Sequence, residues 1–420
     1  MHRALILILF LCWAADGATY YVANAGNDAN NGTSTGTPWK TLSKAQTSLT
    51  AGDTVLLNRG DLFYGAWTNL VNNETLDAYG TGALPIIDGG FTNRWGIWWV
   101  TTINGFAQNI YVRNFGTNGG SDTGALVESD AAGTNAVANL VLDYHTIDDG
   151  IARNNGWLMV TNCLIINPAD QGVTMHGTDG GGVIMVGCTI SNCLEAFKNA
   201  CTGLTLKVND TVMVDNGTGD VDSLDGCVAT FQRCWFKGKT TSSSYAFLKA
   251  CTSPVTMNYC LFDASRITGN SNPQITCDGT TVLNNCVLYG GTGVDGAATV
   301  NAGGTLAMTN SIISSWWRAA FLTAPGTFIM DHCITNNITL PIFTTSANVV
   351  STADPLFIAP NSGNFHLQST SAAIKTGLNL GYSLDLDNSR VFNPPSLGVY
   401  EFSTYTTNVL VNAVIRNGNF

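Results

Sequence analysis

Charged residues are scarce in this 420-residue chain: Asp, Glu, Lys and Arg make up 11% of it. Six of them nevertheless share one window, seven to eleven residues after His145, Cys163, Cys188 or Thr211, namely Arg153, Asp170, Glu195, Lys198, Asp220 and Asp222, with Asp225 close behind. Carboxylates that converge can cage Ca²⁺, which takes several oxygen ligands. That makes Asp170, Glu195, Asp220, Asp222 and Asp225 the candidate ligands. Arg153 or Lys198 beside such a cation could act as the base that removes a proton next to a carboxyl group. This is elimination chemistry on a uronic-acid polymer. Hydrolysis would instead need two carboxylates at a suitable separation. Exposed turns also collect charge, and on that reading the same residues do no chemistry.

Aromatic groups form a second set. Trp316 and Trp317 beside Arg318 could stack on sugar rings, as could Trp95, Trp98 and Trp99. Neighbouring positions on a strand face opposite sides, so each group should lose at least one Trp to the core. His145, His176, His332 and His366 are scattered without metal-ligand spacing. Asp148–Asp149 and the Gly26–Asp28 triplet suit turns as well as cations.

A repeat must position these groups. Aligned on Cys163, Cys188, Thr211, Cys234, Cys260, Cys286, Ser311 and Cys333, the chain recurs every 22 to 26 residues. Such a period signals a solenoid. Two weaker coils are centred upstream on Phe115 and His145. Three residues before each anchor stands an apolar side chain, from Val160 to Met330. Two residues after it the chain is apolar again in seven of eight coils, from Ile165 to Ile313. A strand alternates with period two, so both positions can be buried only if the phase slips at a bend before the anchor. Asn162, Gly187, Asp210, Asn285, Asn310 and His332 occupy that place, and these types tolerate left-handed backbone. A third strand fits between anchors, in 172–176, 245–251, 274–277, 297–301 and 318–323. Three short strands per coil over about ten to a dozen coils predict an all-β parallel β-helix. The anchor cysteines then line one inward column, better read as small buried side chains than as a disulfide set.

The ends and the charge balance bound the rest. A basic start at Met1–Arg3, an apolar run Ala4–Trp13 and small residues to Ala18 read as a secretory signal peptide over residues 1–18, which places the remainder outside the cell or at its surface. The run is too short to span a bilayer, and no later segment is apolar enough to do so. The helix domain covers 19–402, with a β-prone tail at 403–420 whose TNVLVNAVI run could add to a strand edge and self-associate. A net charge of −11 opposes nucleic acid as a partner.

The stretch YYVANAGNDANNGTSTGTPWKTLSKA at Tyr20–Ala45, continued by GDTVLLNRGDLFYG at Gly52–Gly65, resembles the opening module of secreted right-handed parallel β-helix proteins of the pectin-lyase-like superfamily. DPLFIAPNSGNFHLQSTSAAIKTG at Asp354–Gly377, with LGVYEF at Leu397–Phe402, is similar to their closing segment. The resemblance implies an N-terminal capping module over 19–70 with a helix near 40–48, and a closing segment over 354–402. It also implies a polysaccharide or cell-surface glycan as partner, since members are often polysaccharide lyases or glycoside hydrolases and some are non-catalytic adhesins. The short catalytic signatures of polygalacturonases and pectate lyases are absent, so no catalytic residue is carried over. Three functions follow: a lyase-like enzyme on acidic polysaccharide, a non-catalytic glycan- or protein-binding solenoid, and a self-assembling structural module.

Overall fold

The computed structural model describes residues 17–402 apart from 70, 117–126, 131, 144–148, 200–201, 223, 240–245, 268–273, 291–295 and 340–345. The expected signal peptide, His145, Asp148 and the 403–420 tail therefore lie wholly or largely outside the described residues.

The chain forms a parallel β-helix with three rows of strands. First-row strands such as Trp157–Thr161, Gly182–Val186 and Leu204–Asn209 pair in parallel with their counterparts one coil on. Second-row strands such as Leu164–Ile166, Thr189–Ser191 and Val212–Val214 do the same. Among the described residues the third row is a separate sheet of 11 strands, including Gln171–Met175, Glu195–Asn199 and Gly219–Asp222. The inferred register holds. Val160, Met185, Val208, Phe231, Met257, Leu283, Met308 and Met330 stand on one line, all buried. Ile165 to Ile313 form the matching buried line across the bend.

All eight residues before the anchors have left-handed backbone, with φ between 49° and 68°. They include Arg233 and Tyr259, types that do not favour it. Asn109 and Asn139 continue this bend upstream at φ 59° and 53°, so the upstream anchors are Ile110 and Leu140 rather than Phe115 and His145. Leu164 N–H donates to Leu140 O, and Val141 N–H to Ile110 O. Phe115 belongs instead to a second bend, between second and third rows. There Asn114, Asn167, Asn192 and Asp215 turn left-handed at φ 57° to 59°. With two asparagine-rich bends per coil, the two registers are easily confused.

At the N-terminus Thr41 caps a helix over Leu42–Ser48, its hydroxyl accepting the Lys44 N–H at 3.1 Å. Asp28 accepts the Lys40 and Thr41 N–H groups and so fixes the turn into it. Leu42 and Ala45 are buried against the first coil. The closing segment does not plug the far end. It folds back along the flank, where Phe357, Phe365, Leu367, Leu397 and Val399 cover Leu261, Val287, Ile312 and Ile334, an outward second-row line. Among the described residues no helix is long and apolar enough to cross a membrane.

Candidate functional site

The third sheet presents one outward register line that runs Trp98, Glu128, Ala152, Thr174, Lys198, Asp222, Lys249. Ile97, Val127, Ile151, Val173, Phe197, Val221 and Leu248 alternate with it and point into the core. Stacked strands lie about 4.8 Å apart, so the line is about 29 Å long. Ala152 and Thr174, both small, form a floor between an acidic, aromatic end and a charged end.

At the first end two carboxylates share one donor. Asn154 Nδ2 donates to Glu128 Oε1 at 2.7 Å and to Asp130 Oδ1 at 2.5 Å. Trp98 Nε1 holds the other Asp130 oxygen at 2.8 Å. The Trp98 ring is stacked on Trp95 at 3.8 Å, and the Arg94 guanidinium lies 4.6 Å from the Trp95 ring centre. Burial, and then the Asp130 charge, push the Glu128 carboxyl up to about 7. Trp95 contributes weakly in the opposite sense, although its indole nitrogen makes no hydrogen bond of good geometry. Trp95 Nε1 and Glu128 Oε2 are both buried without a partner.

At the other end charges alternate. Glu195, almost fully buried, lies 3.6 Å from Lys249 Nζ and 3.9 Å from Lys198 Nζ. Lys249 also reaches Asp222 at 3.9 Å. Gln171 Nε2 and Thr218 Oγ1 each donate to Glu195 at 3.1 Å. Gly219 makes room for this, since a Cβ there would stand 3.1 Å from Lys249 Cε.

The expected residues divide accordingly. Glu195, Lys198 and Asp222 come together, joined by Lys249, which the sequence reading passed over. Arg153 occupies an inward position, in register with Met175. It is fully buried, and its guanidinium bonds Gly156 O, His176 O and Asp179, so it is not placed to act as a base on substrate. The five candidate Ca²⁺ ligands do not converge. Asp220 is buried and accepts Asn216 Nδ2 at 2.7 Å. Asp225 caps the Thr252 N–H, and Asp170 accepts Gln171 Nε2. Among the described residues no group of three or more His, Cys, Asp or Glu is placed to hold a metal. Trp316 is core, its Nε1 donating to Leu288 O. Trp317 is half exposed, and Arg318 lies over Phe321 at 5.4 Å. Trp99 is core while Trp98 faces outward. Glu128 and Asp130 were missed because the upstream register was misplaced. With Leu140 as anchor, Val-Glu-Ser-Asp at 127–130 reads as a third-row strand carrying two carboxylates on one side.

No family model matches the chain. Over 77 residues, 16% of the chain, the sequence is 39% identical to the lacto-N-biosidase of Bifidobacterium longum subsp. longum; the match spans only 5% of that protein. Among solved structures, XylC in complex with xylose shares a TM-score of 0.51 at 9% identity, over 92% of this chain and 98% of that one. Pectate lyase Pel9A gives 0.47 at 15% identity, over 92% and 96%. A rhamnogalacturonan lyase gives 0.41 at 14%, over 81% and 91%. The likeness to XylC concerns the fold alone, a parallel β-helix, as the strand register also shows.

Proposed function

We propose that this chain is a carbohydrate-active protein that binds a glycan along the outward face of the third sheet and hydrolyses a glycosidic bond at Glu128 and Asp130. The observation that carries the reading is the shared Asn154 amide. Bonds of 2.7 and 2.5 Å to one nitrogen hold the two bonded oxygens at most about 5 Å apart, closer than the roughly 6.5–9.5 Å at which an inverting pair leaves room for its water. Glu128, raised toward neutrality, is the proton donor to the leaving oxygen. Asp130, held by Trp98 and Asn154, is the carboxylate that attacks the anomeric carbon. Water then releases the sugar as Glu128 takes back a proton. The Trp95–Trp98 stack offers an aromatic face beside the pair. The similarity to a lacto-N-biosidase and to a sugar-bound β-helix supports a glycan as partner.

A second reading, elimination on an acidic polysaccharide with Lys198 as base, draws on the half-exposed Lys198 amine on the same face. Neutral and uronate polymers should be incubated with wild type, Glu128→Gln and Lys198→Ala, while reducing ends and the absorbance of unsaturated uronate are followed. Reducing ends without unsaturation, lost in Glu128→Gln, are expected. Unsaturated products lost in Lys198→Ala would overturn hydrolysis in favour of elimination. Binding without cleavage would leave a glycan-binding solenoid.

A further inference from the structure

The closing segment and the second-row flank enclose a groove of about 550 Å³, away from the third-sheet face. Three successive coils supply one wall, where Tyr289, Ser314 and Asn336 stand on one register line. Ser315 and Asn337, the bend residues beside them, complete it. The opposite wall is Asp354 to Phe357. The size falls within the range of small-ligand sites. Phe365 and Phe357 meet the Tyr289 ring edge-on at 5.1 and 6.3 Å and fix its orientation.

Two features of this groove point to a ligand. Its polar lining is poorly satisfied from within: Ser314 Oγ lies 3.4 Å from Ser315 Oγ and 3.5 Å from Asn336 Oδ1, and Asn337 Nδ2 lies 3.4 Å from Ser315 Oγ. Hydroxyl hydrogen bonds normally close to about 2.8 Å, so these donors and acceptors remain open to better partners. The backbone is also held in an unusual state on the wall opposite the coil, where Leu356 is left-handed at φ 51°. For a bulky side chain such as Leu356 this conformation is an outlier, and such strain concentrates at ligand clamps.

We propose that this groove is a second binding site, for a neutral polyhydroxylated ligand of sugar type. The lining offers hydroxyls, amides and the Tyr289 ring, which match sugar hydroxyls and an apolar ring face. Among the described residues its single charged lining group is Asp354, whose Oδ1 accepts the Leu356 N–H at 2.8 Å. An anionic sugar would meet that carboxylate unfavourably. The site is independent of Glu128 and Asp130, so it serves to retain glycan rather than to cleave it.

The test uses the full chain with D-galactose, D-xylose, N-acetyl-D-glucosamine and D-glucuronate as probes, followed by saturation-transfer NMR and titration calorimetry. Binding of at least one neutral sugar and exclusion of glucuronate are expected. Asn336→Phe should fill the groove and abolish this binding, and Asn336→Ala should weaken it about tenfold, the effect of losing roughly one good hydrogen bond. Far-UV circular dichroism and the melting temperature check that each variant folds. Glu128→Gln should bind as wild type does, which separates this site from the proposed catalytic one. Absence of binding by all neutral probes, unchanged affinity in a folded Asn336→Ala, or preference for glucuronate would overturn the proposal.

Discussion

Glu128, on the strand Val127–Ser129, and Asp130, the residue just past its end, are tied by a single side-chain amide, that of Asn154. The tie has a direction. Its hydrogen bond favours the ionised form of Glu128, against burial and the Asp130 charge, which favour the neutral form. As a proton donor Glu128 must be protonated, so kcat/KM should fall as pH rises through about 7. Asn154→Ala removes the opposing bond and should move this alkaline limb to higher pH. Glu128→Gln should lower kcat by about 10²-fold or more. A pH–rate profile on whichever polymer is cleaved checks both, and an unmoved limb in a folded Asn154→Ala would remove Glu128 from the role.

Arg153 should matter to stability and not to the chemistry. Its guanidinium bonds the Gly156 and His176 carbonyls and Asp179 at a corner between coils. Burial works against the Asp179 charge, yet the Arg153 and Gly156 N–H bonds still hold that carboxyl below its usual range. Arg153→Ala would strand these acceptors and cost about 3 kcal/mol or more in urea unfolding. Lys198→Ala, with its side chain 41% exposed, should stay within about 0.5 kcal/mol. A folded Arg153→Ala of wild-type stability without activity would return Arg153 to the catalytic residues.

The contrast between these two residues explains what could be read from sequence. The coil was legible because apolar side chains recur at fixed offsets from each anchor, and Val160 and Ile165 need a bend between them. Facing was legible only where the register was right. Lys198 and Asp222 fall on the outward line with Lys249, but Arg153 belongs to the coil anchored at Leu140 rather than His145, where it faces inward. The Glu128 pair was hidden for the same reason. The divergence of Asp220 and Asp225 from Asp222 was not legible, since closeness in sequence does not show that Asp220 is buried against Asn216 while Asp225 bonds Thr252.

Glu74 sets a pH dependence of folding. Its Oε1 accepts Trp99 Nε1 at 2.6 Å and Trp67 Nε1 at 3.3 Å, while Oε2 is buried without a partner. Burial outweighs both indole bonds and raises the carboxyl to about 7 from an ordinary 4.5. The folded state therefore holds its proton more tightly than the unfolded state. The stabilisation is fully present below pH 4.5 and is lost as pH rises through 7, by about 3 kcal/mol in all. Glu74→Gln should flatten that part of the stability–pH curve. An unchanged slope between pH 5 and 8 would exclude Glu74 as its source.

Gly187 should be the least replaceable residue of the first bend. Its φ is +68°, and a Cβ would stand 2.5 Å from Asn162 Oδ1 in the coil before. Gly187→Ala should cost at least the 1–2 kcal/mol or so of left-handed backbone, and more only if the Asn162 side chain cannot turn away. Gly187→Asn, a type that tolerates this conformation, meets the same side chain and should cost less than Ala only if the two amides pair as Asn310 and Asn285 do at 3.2 Å. Thermal unfolding of the two variants separates backbone strain from the clash.

The cysteine column makes the last prediction. Cys163, Cys188, Cys234, Cys260, Cys286 and Cys333 are all buried free thiols, and Thr211 and Ser311 fill the same places. Each side chain reaches back to a backbone carbonyl two residues earlier: Cys188 Sγ to Val186 O at 3.4 Å, and Thr211 Oγ1 to Asn209 O at 2.9 Å. A hydroxyl can therefore take over the thiol's bond. Burial also pushes the Cys188, Cys234 and Cys260 thiols well above their ordinary range, which suppresses the reactive thiolate. These thiols should resist maleimide in the native protein and react fully in guanidinium. Cys234→Ser should cost less than Cys234→Val, because serine keeps the carbonyl bond while valine forces a branched side chain into a closely packed column. Rapid native labelling of this column, or a valine variant more stable than serine, would show that the column is not held by these small polar contacts.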